Sequence, residues 1–419
     1  MNRIILIGNG FDLAHDLKTS YKDFIKDFWK KQTIDYNNQA TSLEGMKWFN
    51  KNNVFFEFSI LPPPPLKENF YKTQKISYKN KFLEVITDEF ENKNWVDIEE
   101  HYNVHLQEIV HGSIKARKYW RVDWLNRDFE IIKKLLETYL KDEVIINDEK
   151  KFLDKIKNII FSKFVLDDFT QVGVETIIDE EYHKLRQINE RTDYQSINNL
   201  SETTFYLLRN LDGNNIPINK EEIRKILIKK TTFSQDFHLL PRQILFLNFN
   251  YTNTENRYYK YDFFKDKTEG FKKEIQIEKD TIHIHGELMN DKNPIIFGYG
   301  DEIANEYKAI EKMNDNRFLE NIKSIRYLET DNYKRLLNFI NSDNYQIFIM
   351  GHSCGLSDRT LLNTLFEHEN CVSIKVFYHQ ETETRDNYSD VVRNISRNFN
   401  NKATMREKVV NKQYCESLI

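Results

Sequence analysis

Ile4-Ile5-Leu6-Ile7-Gly8-Asn9-Gly10-Phe11-Asp12-Leu13 stands near the start of the chain and decides its fold class. Four consecutive large apolar residues are too few for a free-standing helix. They suit a strand buried on both faces of a parallel sheet. Gly8 and Gly10 follow at once, where a strand must turn sharply and its backbone can approach a ligand. Polar capping residues and a helical pattern come next. A strand, a glycine turn and a helix start in this order are how nucleotide-binding α/β sheets begin. The third glycine of the dinucleotide fingerprint is absent, since Leu13 stands there, so an ordinary βα turn fits equally well. Asp12 lies where a phosphate would sit and would repel it. It is expected to cap the helix or to hydrogen-bond a ribose hydroxyl.

Comparable strand ends return only after residue 240. The runs are Gln243–Phe249, Thr281–His285, Pro294–Phe297, Gln346–Met350 and Ser373–Tyr378, with helical stretches between several of them. Of the 12 glycines, Gly8 and Gly10 follow the opening run, and Gly286, Gly298, Gly300, Gly351 and Gly355 follow the ends of these later runs. Strands alternating with helices predict a doubly wound, mostly parallel α/β sheet. Residues 1–30 plus 240–419 are its expected nucleotide-binding domain, and 31–239 a mainly helical insertion. Ligands collect at the carboxyl ends of strands in such sheets. Asn250, in Asn250-Tyr251-Thr252-Asn253-Thr254, would orient a ligand amide, a ribose hydroxyl or a water, or else only cap a loop. His283 and His285, two apart on a strand, are expected on one face. Either would serve as a general base near neutral pH, or both as metal ligands. Gly351-His352-Ser353-Cys354-Gly355-Leu356-Ser357-Asp358 reads as a second glycine βα junction, in which Gly351 and Gly355 let backbone amides converge. Its Gly-x-Ser-x-Gly pattern would need His379 and Asp386 or Asp390 as triad partners, a match without specificity.

The intervening span is read from spacing. Ser20 and Asp23 form a capping pair for a helix that buries Phe24, Ile25 and Phe28. Residues near 36–80 are expected to be irregular, with Pro62-Pro63-Pro64-Pro65 extended. From about 80 to 235 the apolar spacing is helical, as in Phe82/Val85/Ile86/Phe90 and Phe129 through Leu140. Loops are expected near Asp142–Asn147 and Leu211–Pro217. Lys115-Ala116-Arg117-Lys118-Tyr119-Trp120-Arg121 mixes basic and aromatic residues and reads as a solvated helix face or a local nucleic-acid contact.

Composition narrows the class. The 419 residues are 40% hydrophobic and 14% aromatic, enough for a large core, and 30% are charged. The formal net charge of −4 argues against broad binding to nucleic acid or anionic membrane. Three cysteines make neither a disulfide framework nor a zinc spacing, so a reducing cytoplasm is the expected compartment. The N-terminus lacks the layout of a signal peptide, and no apolar run reaches membrane-helix length.

Gly8-Asn9-Gly10-Phe11-Asp12-Leu13-Ala14-His15, continuing to Thr19-Ser20-Tyr21, resembles the N-terminal signature of the AbiH family of bacterial abortive-infection proteins. Trp95-Val96-Asp97-Ile98-Glu99, Phe249-Asn250-Tyr251-Thr252, His285-Gly286 and Gly351-His352-Ser353 agree with it, so the resemblance spans nearly the whole chain. A looser resemblance runs to SIR2-like proteins, many defence members of which hydrolyse NAD. Gly8-Asn9-Gly10, Asn250-Tyr251, His285-Gly286 and Gly351-His352-Ser353 with Ser357-Asp358 follow that group's motif order. Thr252 departs from its usual aspartate and Asp12 from its usual small polar residue. The zinc module of the deacetylases is absent, which excludes protein deacetylation from the expectation.

The resemblance implies an antiphage effector that hydrolyses NAD, as substrate or ligand, at the nicotinamide–ribose bond. Asn250 and His285 would be catalytic. Gly8, Asn9, Gly10, Asp12, Tyr251, Thr252, Gly351, His352, Ser353 and Asp358 would bind the nucleotide. A phage-derived trigger, a partner protein or self-assembly would gate the reaction. Two alternatives stand beside it. One is a metal-dependent hydrolase or nuclease using His283, His285, Glu287 and Asp301. The other is a nucleotide-binding switch without turnover.

Overall fold

A computed structural model describes the chain except residues 94–96, 113–117, 147–151, 191–219, 229–238, 260–262, 265–274 and 304. Its centre is a sheet of five strands, all parallel. They are β1 (Asn2–Ile7), β2 (Gln243–Asn248), β3 (Glu278–His283), β4 (Tyr345–Met350) and β5 (Cys371–Phe377). The spatial order is β3-β2-β1-β4-β5. β1 is central, with Ile5 opposite Phe246 of β2 and Phe348 of β4. This order is consistent with a Rossmann-like fold. The chain reverses its direction of progress between β1 and β4, where a crevice opens at the carboxyl ends.

Alternation explains why the opening run is apolar throughout. Ile4 and Leu6 join Leu247, Ile349 and Val376 on one face, under Leu336 and Ile340 of α8, Leu362 and Leu365 of α9, and Ile395 of α10. Those helices are Asn332–Ser342, Arg359–Glu367 and Tyr388–Asn398. Ile5 and Ile7 face the other way, onto Phe11 and Ala14 of α1 (Asn9–Ala14) and Ile156, Ile159 and Ile160 of α6 (Asp154–Ile160). A polar residue at any of these strand positions would be buried.

A helical layer lies beside the carboxyl edge of the sheet. It consists of α2 (Tyr21–Gln39), α3 (Lys81–Lys93), α4 (Ile98–His111) and α5 (Val122–Ile146). Ser20 caps α2 by accepting the Asp23 N–H at 3.1 Å, and Phe24, Ile25 and Phe28 are buried, as the capping pair and spacing predicted. Phe297 of the loop after β3 stacks on Phe129 of α5 at 5.0 Å and ties this layer to the strand ends. Part of the span 31–239 instead covers the sheet directly. α6 does so, and α7 (Gln171–Glu190) packs Ile177 and Ile178 with Met1 and Val372.

Four expectations need correction. Residues 36–80 are not wholly irregular, since they contain a helix at Leu43–Asn52 and a hairpin pairing Phe56–Phe58 with Ile76–Tyr78. The loop expected near Asp142 is helix through Ile146, held by Lys31 on Asp142 and by the Lys18 N–H on Glu143. Pro294–Phe297 is not a strand. Its contact with the sheet end is the Ile296 N–H donating to His285 O at 2.8 Å, and Pro294 has no N–H to offer. Finally, β3 ends at His283, so His285 lies past the strand. The expected Leu211–Pro217 loop and Lys115–Arg117 lie outside the described residues. Among the described residues no helix is long and apolar enough to cross a membrane.

Candidate functional site

A cavity of about 590 Å³ occupies the crevice between the carboxyl ends of the strands and the helical layer. Every residue expected to bind or act on a nucleotide lines it: Gly8, Asn9, Gly10, Asp12, Asn250, Tyr251, Thr252, His285, Gly351, His352, Ser353 and Asp358. They come from three strand ends, β1, β2 and β4, and from the turn beyond β3. The two halves of the chain thus meet at one place.

The glycines act chiefly on each other. A Cβ on Gly8 would lie 2.5 Å from His352 Cα, and one on Gly10 would lie 2.8 Å from Gly351 Cα. Gly351 has φ +75°. The turn after β1 and the turn after β4 are in backbone contact, and only glycine permits that approach. The Gly8 N–H donates to Met350 O at 3.1 Å, Gly10 to Gly351 O at 2.9 Å and Phe11 to Gly8 O at 2.9 Å. These amides close the turns onto each other, so they are not the free phosphate donors that a glycine loop suggests. Gly355 is not in this contact. It is extended at φ −65°, ψ 171°, and the nearest atom to an added Cβ is Ser353 Oγ at 3.6 Å.

Asn250 Nδ2 donates to Gly8 O at 3.0 Å, and its own N–H donates to Asn248 Oδ1 at 2.8 Å. Asn248 is fully buried and its Nδ2 spans Thr252 O and Glu255 Oε2. This bracing fixes the loop after β2. Thr252 Oγ1 donates to Asp12 Oδ2 at 2.6 Å, so Asp12 is held by the next loop and makes no helix cap. Its other oxygen, Oδ1, is buried without a hydrogen-bond partner. Burial pushes the Asp12 carboxyl up to about 6, against the lowering effect of the Thr252 hydrogen bond.

That shift makes a stability prediction. The folded state binds the Asp12 proton more tightly than the unfolded chain, so stability falls as pH rises from about 4 to 6. A rise from 3.8 to about 6 corresponds to roughly 3 kcal/mol, an order-of-magnitude figure. Asp12→Asn is therefore expected to raise the melting temperature at pH 8 and to have little effect at pH 4. Equal effects at both values would refute the assignment.

The two histidines part company. His283 Nε2 lies 3.1 Å from Glu255 Oε1, away from the cavity lining. Burial alone would depress its pKa, but Glu255 raises it. His285 Nε2 lies 3.2 Å from both Asp358 Oδ1 and Tyr327 Oη. Burial and the nearby Lys323 ammonium lower His285 to about 4, so its imidazole is neutral at pH 7. His352 Nδ1 accepts the Cys354 N–H at 3.0 Å, which leaves Nε2 protonated toward Asp358 Oδ2 at 3.5 Å. Burial would raise Asp358, yet Lys323 and His285 hold it well below the usual carboxylate range.

The helical layer adds residues that the motifs did not assign to a site. Ser20, Tyr21 and Lys22 at the amino end of α2, Asp97 and Glu99 at that of α4, and Leu136 and Leu140 of α5 all line the cavity. Asp97 caps α4, accepting the Glu100 N–H at 2.9 Å. Burial raises the Glu99 carboxyl while Lys323, 2.8 Å away, opposes the rise. Asp97 and Glu99 belong to one of the quoted segments, which was the available signal; Lys323 belongs to none.

The donors considered for a metal do not converge. His283 faces Glu255, Glu287 accepts from Asn290, and Asp301 pairs with Arg359 at 3.3 Å in a separate cavity. Among the described residues no group of three or more histidine, cysteine and acidic side chains is placed to hold a metal ion. Asp386 and Asp390 are likewise engaged elsewhere, with Lys412 and Arg393.

Among known proteins, a family model described as bacteriophage abortive infection AbiH matches residues 4–380. No curated protein and no solved structure matches the chain. The matched span begins inside β1 and runs past β5, so it takes in the sheet, the cavity and the helical layer together. The chain belongs to the AbiH family of bacteriophage abortive infection proteins.

Proposed function

We propose that this protein is an antiphage effector that hydrolyses NAD at the nicotinamide–ribose bond, on a doubly wound, SIR2-like sheet. One observation carries the reading. Residues from both ends of the chain line a single cavity at the point where the strand order reverses, and carboxylates crowd its lining. Asp12, Asp97, Glu99 and Asp358 line it beside one lysine, Lys22. Such a site suits a substrate that is anionic at one end and cationic at the other.

NAD fits that description. Its diphosphate would lie toward Lys22 and the amino end of α2. Its pyridinium ring would lie toward the carboxylates. Cleavage sends the electron pair of the C–N bond to nicotinamide, which leaves neutral. The ribose passes through an oxocarbenium-like state that fixed carboxylates stabilise. Water adds at the same carbon and loses a proton, giving ADP-ribose, nicotinamide and one proton. His285 would accept that proton or hold the ribose hydroxyls. Asn250, with Nδ2 committed to Gly8, would orient the water through Oδ1. Gly8, Asn9, Gly10, Gly351, His352 and Ser353 would shape the pocket around the ribose. In this reading 1–30 plus 240–419 is the catalytic domain. The helical insertion within 31–239 would sense a phage-derived trigger or assemble the enzyme with copies of itself.

Incubation of the purified chain with NAD tests the reading. Free nicotinamide and ADP-ribose are expected in equal amounts, with chelator present or absent. NAD that binds but survives would move the assignment to a nucleotide-controlled switch. Loss of turnover on chelation would move it to a metal hydrolase.

A further inference from the structure

Lys323 is 1% exposed, lies outside every motif and does not line the cavity. Its Nζ stands 2.8 Å from Glu99 Oε2 of α4 and 2.8 Å from Asp358 Oδ1. Asp358 Oδ1 is in turn 3.2 Å from His285 Nε2. At the far end, Glu99 Oε1 accepts the Gly298 N–H at 3.3 Å. A continuous chain of charge-assisted contacts therefore runs from the helical layer to the imidazole. Buried ion pairs contribute little net stability, because desolvation offsets their attraction. Packed apolar groups would hold these elements together equally well, so the charges call for another explanation.

Orientation supplies one. Asp358 with only His285 and His352 as partners could rotate between them. Lys323 fixes Asp358 Oδ1 on the His285 side and leaves Oδ2 for His352. His285 Nε2 is then committed to Asp358 and Tyr327, which turns Nδ1 into the free proton acceptor. We infer that Lys323 is a positioning residue, which holds Asp358 against His285 and ties both to helix α4 through Glu99, so that the helical layer completes the site. The purpose of this arrangement rests on the proposed NAD reaction, whereas its geometry does not.

The charged and titratable groups around this cluster are Asp97 and Glu99 from α4, Asp358 before α9, His285 and His352. The phenols of Tyr21, Tyr251 and Tyr327 also face it. Burial first, and Lys323 after it, lower His285, while Asp358 opposes them. Without Lys323, Asp358 is free to turn from His285 toward His352.

The test is ring-nitrogen NMR of the full chain at pH 7, with His285 assigned by the signals lost in His285→Gln. In wild type His285 is expected as the single tautomer that carries its proton on Nε2, toward Asp358. In Lys323→Met, with Asp358 free to turn toward His352, a mixture of the two tautomers is expected. Lys323→Met strands Glu99 and Asp358 together and can fail to fold. The double variant Glu99→Gln/Lys323→Met removes one charge of each sign, so it leaves the buried net charge unchanged, and the same mixture is expected there. A folded single or double variant in which His285 keeps the wild-type tautomer overturns the inference. The measurement needs no substrate, so that failure is distinct from an absence of NAD turnover in wild type.

Discussion

His285→Ala is expected to cut nicotinamide release from NAD by about 100-fold or more while the protein stays folded, the range typical of a lost acid–base group. The fold should survive because the substitution strands no charge. Asp358 keeps Lys323 at 2.8 Å, and the small cavity left is bordered by Phe249, edge-on to the ring, and by Tyr327, parallel to it. His283→Gln provides the contrast. It takes the imidazole away from Oε1 of the fully buried Glu255, leaving Asn248 on Oε2, and should lower the melting temperature, yet His283 is not itself part of the cavity lining. Turnover per folded molecule should then stay within about threefold of wild type, well short of the loss expected for an acid–base group. The pH dependence should differ from that of an ordinary histidine. His285 loses its acceptor role only as pH falls through about 4, so no limb near 6.5 should come from it. A His285→Ala variant that retains wild-type turnover would remove this residue from the mechanism.

Gly351→Ala is expected to destabilise the protein by about 3 kcal/mol or more, from left-handed backbone strain together with overpacking. The strain follows from φ +75°, and an added Cβ would lie 2.1 Å from Phe11 N. The three nearest atoms are all backbone, of Phe11 or Gly10, so swinging a side chain aside cannot relieve the clash. Relief would require the turn after β4 to part from the turn after β1, which also breaks the Gly10 N–H bond to Gly351 O. Gly355→Ala, four residues on, should fall between no change and about 1 kcal/mol of added stability, since its backbone already suits alanine. Urea denaturation of both variants checks the pair. Equal effects would contradict the backbone contact on which the cavity is built.

The strands were legible because their cause is local. Ile4–Ile7 and Ile347–Met350 are apolar at every position, and only a strand covered on both faces needs that. The cavity lining was legible for a related reason. Strand ends in a parallel sheet converge whatever lies between them, so Gly8, Asn250, His285 and Gly351 could be grouped before their contacts were seen. What failed depended on distant partners. Gly8 and Gly351 looked like a ligand cradle because nothing local shows that two turns over 340 residues apart touch. The pairing of His283 with His285 assumed that the strand continued; it stops at His283, and alternation of faces stops with it. Glu99 stood out only as part of a family-like segment and Lys323 not at all, since a buried acid or base is betrayed only by its partner, here 224 residues away. Asp142-Glu143 looked like a helix end because its supports, Lys31 and Lys18, lie more than 100 residues earlier.

In the proposed reading both ends of the chain build one nucleotide site at the strand-order reversal. Amide hydrogen exchange with and without NAD examines that site without requiring turnover. Slower exchange is expected, together, in the segments 8–13, 249–253 and 351–358, with the Asp97–Glu99 stretch of the helical layer protected alongside them. NAD that leaves all of these segments unchanged, or protects only the separate cavity around Asn103, Gln107 and Tyr299, would contradict it.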